Sequence, residues 1–189
     1  FRYDPGLGLS GSVAGGLVRV GNWKFLEQAG IIPDANGEGH LQRLQEEGKT
    51  TVLVSHDADF IGIIGIADTV KISAGLAVDE LKGMNITPVM VTGDNVRTAE
   101  AVGRMVGIEQ IIAGVLPDQK AEEVMRLQQN GKIVAFVGDG INDAPALARA
   151  DTGIAICTGT DIAIEYADII LVKGAITDAV AGFQLARKV

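Results

Sequence analysis

From about Lys49 onward, short apolar runs rich in β-branched residues alternate with stretches of helical spacing. The runs TTVLVSH (50–56), FIGIIGIA (60–67), TPVMV (87–91), KIVAFV (132–137), TGIAI (152–156) and ADIILV (167–172) predict strands. AGLAVDELKGM (74–84) and NVRTAEAVGRMVG (95–107) predict helices; in the second, Val96, Ala99, Val102 and Val106 trace one face. PDQKAEEVMRLQQNG (117–131) opens on a proline and closes on a glycine, both helix boundary signals. Strands and helices in alternation predict an α/β fold with a parallel sheet covered on both faces.

The first 66 or so residues read differently. GSVAGGLVRVG (11–21) predicts a hairpin around Gly15-Gly16. NWKFLEQAG and HLQRLQEEG predict short helices closed by Gly30 and Gly48, with IIPDANGEG between them as loop. The expected division is therefore 1–67 and 68–189, with no repeats or low-complexity tracts.

Composition narrows the function classes. A net charge of -8 offers no basic stripe for a nucleic-acid backbone, so any bound phosphate needs a local site. The apolar runs fall well short of the ~20 residues of a membrane span. FRYDPGLGL lacks the basic-then-apolar layout of a signal peptide. The single cysteine, Cys157, excludes an internal disulfide and reads as a small buried hydrophobe.

Ligands of parallel sheets bind beyond the carboxyl ends of the strands. Here VMVTGD (89–94) ends on Thr92, Gly93 and Asp94, and VGDGIND (137–143) carries Asp139, Asn142 and Asp143. PDQK puts Lys120 in the first turn of a helix. A hydroxyl, an ammonium and several carboxylates are together the parts of a Mg²⁺-assisted phosphoryl site, although singly Thr92-Gly93-Asp94 reads as an ordinary turn and Lys120 as a lysine reaching solvent. Asp143, before Ala144-Pro145, also reads as a plain helix N-cap, which leaves Asp139 and Asn142 unexplained.

The runs VMVTGDNVRTAEAVGRMVGI, VLPDQK and VGDGINDAPALARADTGIAI closely resemble the phosphorylation domain of P-type ATPases, within the haloacid dehalogenase-like superfamily. The resemblance covers essentially 60–189. PGLGLSGSVAGGLVRVGN resembles the second half of the nucleotide-binding domain of the heavy-metal branch, with its GxG at Gly6 and Gly8. GIAICTGTDIAIEYADIIL is closer to copper-pump than to zinc-pump sequences, although Cys157 and Tyr166 replace the usual small residues.

That resemblance implies a Rossmannoid parallel sheet at 68–189, lacking its nucleophile strand, and half of an α+β nucleotide-binding domain at 1–67. It implies Mg²⁺ and ATP as cofactors, with Asp139 ligating the metal. Asn142 and Asp143 would orient phosphate and the metal's surroundings, Lys120 would stabilise phosphoryl charge and Thr92 would bond a phosphoryl oxygen. Asp94 would stand near metal-bound water or nucleotide, and Gly6 and Gly8 would let backbone approach the nucleotide. No DKTGT nucleophile motif occurs in the 189 residues. The expected partners are thus an amino-terminal segment carrying that strand, between those ending at Thr92 and Asp139, and a membrane domain toward which the last ~15 residues lead. The parent is expected to be an ATP-driven heavy-metal exporter, copper(I) favoured over zinc or cadmium, at the cytoplasmic face of a membrane. The isolated chain is expected to be inactive. Two alternatives remain: a free-standing phosphatase using Asp57 of LVSHDADF, where hairpin turn 57–59 is the competing reading, and a non-catalytic nucleotide-binding fragment.

Overall fold

The computed structural model describes residues 1–67, 70–138, 141–156, 165–172 and 175–187. The chain divides into two compact units, one of residues 1–69 and 94–102, the other of residues 70–93 and 103–189.

The first unit is built on an antiparallel sheet of order β1-β2-β3-β4-β5. The strands are β1 (Arg2–Asp4), β2 (Gly8–Val13), β3 (Gly16–Gly21), β4 (Thr50–His56) and β5 (Asp59–Ile66). β2 and β3 meet at Ala14-Gly15, both with positive φ, so the predicted glycine turn forms one residue earlier than Gly15-Gly16. β4 alternates strictly: Thr51, Leu53 and Ser55 are buried and the residues between them are not. Leu53 packs with Leu26 of α1 (Trp23–Gln28), Leu41 of α2 (Ala35–Glu46) and Ile31.

Two sequence expectations change here. The stretch 31–39, expected as loop, already contains the first turn of α2. The Asp34 carboxylate accepts the Gly37 N–H at 2.8 Å, and this cap outweighs the poor helix propensity of Gly37 and Gly39. The strand Arg2–Asp4 is too short and polar to register as a periodic run; only its pairing with β2 makes it one.

The second unit holds two parallel sheets. One pairs β6 (Val89–Val91) with β7 (Gln110–Ile112); the other has the order β10-β9-β8. In it, β8 spans Ala135–Gly138, β9 Thr152–Ile156 and β10 Ile169–Leu171. Around them run α3 (Ile72–Gly83), α5 (Pro117–Gln129), α6 (Ala144–Arg149) and α7 (Ile176–Ala186). α4 (Val96–Val106) begins in the first unit and ends in the second. Ile154, Leu171 and Ala179 form one buried cluster, Leu147 and Ala155 another.

β8 starts three residues later than the apolar run at 132 suggests. Val134 is spent on Asp151: its N–H donates to the Asp151 carboxylate at 2.8 Å, and its carbonyl accepts the Asp151 N–H at 2.9 Å. β7 escaped the sequence reading because three residues carry no usable period. The strands expected in one parallel sheet fall into two, with no pairing between β6 and β8 among the described residues.

Candidate functional site

β8 ends at Gly138, and the chain re-enters the described structure in a 3-10 turn over Ile141–Asp143 that leads into α6. Asp143 occupies the N-cap position of α6, with Pro145 in the first turn, yet its side chain makes no capping hydrogen bond. The carboxylate turns instead to α5, where Lys120 Nζ donates to Asp143 Oδ1 at 2.7 Å. Both side chains are largely buried, 18% and 9% exposed. The N-cap reading of Asp143 therefore explains its position and not its chemistry. Pro117 starts α5 at a fixed φ, and Gln119 Oε1 accepts the Leu116 N–H at 3.0 Å, which sets the first turn from which Lys120 projects.

Gly138 completes the arrangement. A Cβ there would lie 2.7 Å from Asp143 Cβ and 2.8 Å from its Oδ2, so only glycine lets the carboxylate fold back over the strand end. Asn142 is exposed beside it. Thr92 follows β6; its N–H donates to Ile112 O at 2.9 Å and its carbonyl accepts from Val115 N–H at 3.1 Å. Asp139 lies outside the described residues, as does Cys157.

Asp94 is placed in the first unit with β4: Thr50 Oγ1 donates to Asp94 Oδ1 at 2.9 Å. Gly6 has φ 72, and Asn22 Nδ2 donates to its carbonyl at 2.9 Å. A Cβ on Gly8 would meet Val20 O at 2.5 Å and the Phe25 ring at 2.7 Å. Both glycines thus have structural reasons of their own. Asp57 sits in the β4–β5 hairpin turn with φ 52, its Oδ1 accepting the Leu17 N–H at 2.8 Å. The turn is tighter than the expected 57–59, since Asp59 already pairs with His56.

The donor set suits a hard cation: the Asp143 carboxylate and the Asn142 amide offer oxygen, and no thiolate or imidazole stands with them among the described residues. No cluster of three or more His, Cys, Asp or Glu occurs among the described residues. The sequence pointed to Lys120, Thr92, Asp94, Asn142, Asp143, Gly6, Gly8 and Asp57; it did not point to Thr50, Gln119 or Asn22, nor to the need of Gly138 for a bare Cα, which shows only in the tertiary contact.

The model of the haloacid dehalogenase-like hydrolases matches residues 4–151. The chain belongs to that family. Curated relatives include a probable copper-exporting P-type ATPase of Archaeoglobus fulgidus, 49% identical over 94% of this chain and 22% of its own length. The cation-transporting ATPase HMA5 of Oryza sativa subsp. japonica is 48% identical over all of this chain and 19% of its length. Among solved structures, a zinc-transporting PIB-type ATPase superposes with a TM-score of 0.66 at 37% identity, over 96% of this chain and 29% of that one. The catalytic domain of the CPx-ATPase CopB-B shares the fold at 23% identity and a TM-score of 0.66, over 95% of this chain and 62% of that one. The chain thus spans about a fifth of the length of the curated relatives it matches. No described helix is long and apolar enough to cross a membrane.

Proposed function

We propose that this chain is the carboxyl-terminal part of the ATP-binding and phosphorylation unit of a heavy-metal-exporting P-type ATPase, with copper(I) as the exported ion. The observation that carries the reading is the Lys120–Asp143 pair folded over Gly138 at the end of a parallel strand. The copper assignment rests on relatives such as the copper-exporting ATPase of A. fulgidus.

In this reading ATP is held by the first unit, with Gly6 and Gly8 beside it. A carboxylate on a segment outside this chain attacks the γ-phosphorus, the bond to the β-phosphate oxygen breaks, and ADP leaves; water later cleaves the acyl phosphate. Lys120 supplies positive charge to the phosphoryl oxygens, Thr92 donates a hydrogen bond to one of them, and Asn142 and Asp143 orient the group. Asp139 would hold Mg²⁺, which when bound would neutralise phosphate charge. With Asp143 against it, Lys120 is pre-aimed rather than free to swing, so little reorganisation is needed at reaction.

The break between the two parallel sheets supports the missing-strand part of the reading. β6 is only half-buried along its length, and among the described residues β8 pairs with β9 alone. In this reading the strand carrying the nucleophile would lie between β6 and β8 and satisfy backbone groups that cost about 1–3 kcal/mol each if buried unpaired.

The test is phosphorylation of the full-length parent with labelled ATP. An acid-stable, hydroxylamine-labile phosphoprotein that Lys120→Ala reduces by about tenfold or more supports the reading. Its absence in the wild-type parent overturns it. Phosphatase turnover by the 189-residue chain, abolished by Asp57→Asn, would do the same in favour of the phosphatase alternative. The hairpin position of Asp57 and its bond to Leu17 N–H argue against that outcome.

A further inference from the structure

The loop after β6 is fastened to the start of β4 by two hydroxyls. Thr50 Oγ1 donates to Asp94 Oδ1 at 2.9 Å, and Thr98 Oγ1 donates to the Lys49 carbonyl at 3.0 Å. Thr98 is 1% exposed, and Asn95 Nδ2 in turn donates to its oxygen at 2.9 Å. Asn95 Oδ1 accepts the Thr98 N–H at 3.1 Å, capping α4 from within the same network.

The nearby cation does not do this work. Lys49 Nζ lies 2.5 Å from Glu47 Oε2, and that ammonium holds the Glu47 carboxyl below its usual range. With the ammonium turned to Glu47, it is the hydroxyl of the next residue that reaches Asp94. The Thr50 hydroxyl fixes the orientation of the Asp94 carboxylate, which has further interactions as well, and a fixed orientation is what a group acting on a metal-bound water or a nucleotide requires.

We propose that Thr50 is a positioning residue for Asp94 in the phosphoryl-transfer reaction, acting through its hydroxyl, while Thr98 and Asn95 hold the loop that carries Asp94 against β4. This rests on the reading of the chain as part of a P-type ATPase. Thr50 is exposed at the first position of a strand, so valine in its place keeps β-branching and touches no core.

The experiment compares Thr50→Val and Thr50→Ser in the full-length parent, measuring kcat, KM for ATP, phosphoprotein level and melting temperature. Thr50→Val lowers kcat about tenfold, the worth of one hydrogen bond to a charged group, while KM changes by less than about twofold and the melting temperature holds. Thr50→Ser restores most of the rate. Wild-type kcat in Thr50→Val overturns the proposal, and so does an equal loss in Thr50→Ser, which would assign the effect to the strand rather than the hydroxyl. A fall in kcat matched by a fall in melting temperature also overturns it. Absence of phosphoprotein in the wild type would instead overturn the functional reading, so the two failures are distinct.

Discussion

Lys120 and Asp143, 23 residues apart in the chain, meet at 2.7 Å with both side chains largely withdrawn from water. An ion pair so placed repays its desolvation only while both partners are present. Asp143 has further interactions, so its loss of Lys120 is cushioned and not complete.

Lys120→Met therefore destabilises the chain by about 1–3 kcal/mol, and a double-mutant cycle with Asp143→Asn returns a coupling energy of that order. Urea denaturation of the four proteins measures it. Singles that add without coupling would contradict the buried pair.

Gly138→Ala forces Asp143 away, because the new methyl falls 2.7 Å from Asp143 Cβ. The expected cost is about 1–3 kcal/mol in stability, read from the same urea melts, since the neighbour that must yield is a buried side chain. In the parent protein the phosphoprotein level falls with it, since the Lys120 contact moves too.

Asp151 sets an acid limit. The Val134 N–H first, and then the Gln128 amide, hold its carboxyl below the ordinary value of 3.8. A carboxylate whose folded pKa is depressed contributes stability that is present above the unfolded value. That contribution is lost as pH falls below 3.8 through the folded pKa. Urea midpoints measured from about pH 5 downward should drop less steeply in Asp151→Asn than in the wild type.

Ser55 is fully buried on the packed face of β4, and its hydroxyl has no hydrogen-bond partner among the described residues. Ser55→Ala removes a buried polar atom and keeps the volume small, so stability rises or stays level, by up to about 1–2 kcal/mol. A loss on that scale in a chemical melt would show that the hydroxyl is satisfied.

Long or strictly periodic elements were legible in the sequence. TTVLVSH and TGIAI form strands over the very residues expected, because β-branched runs of that length bury a face in either sheet type. The helix at 117–129 begins at its proline as read. What escaped was set by partners remote in sequence. Arg2–Asp4 is a strand because β2 lies beside it, and the start of β8 is displaced because Asp151 claims Val134.

The candidate site divides the same way. Residue types and spacing grouped Lys120, Asn142 and Asp143 with Thr92, Asp94 and Asp139 as the parts of a phosphoryl site, and the family resemblance supplied their expected roles. Which carboxylate takes the lysine, why position 138 has to lack a side chain, and that Thr50 holds Asp94 were decided by the tertiary structure alone. Those contacts span 5 to 44 residues of chain. A hydrogen bond or a steric limit of this kind depends on distances of tenths of an ångström, which composition and periodicity do not encode.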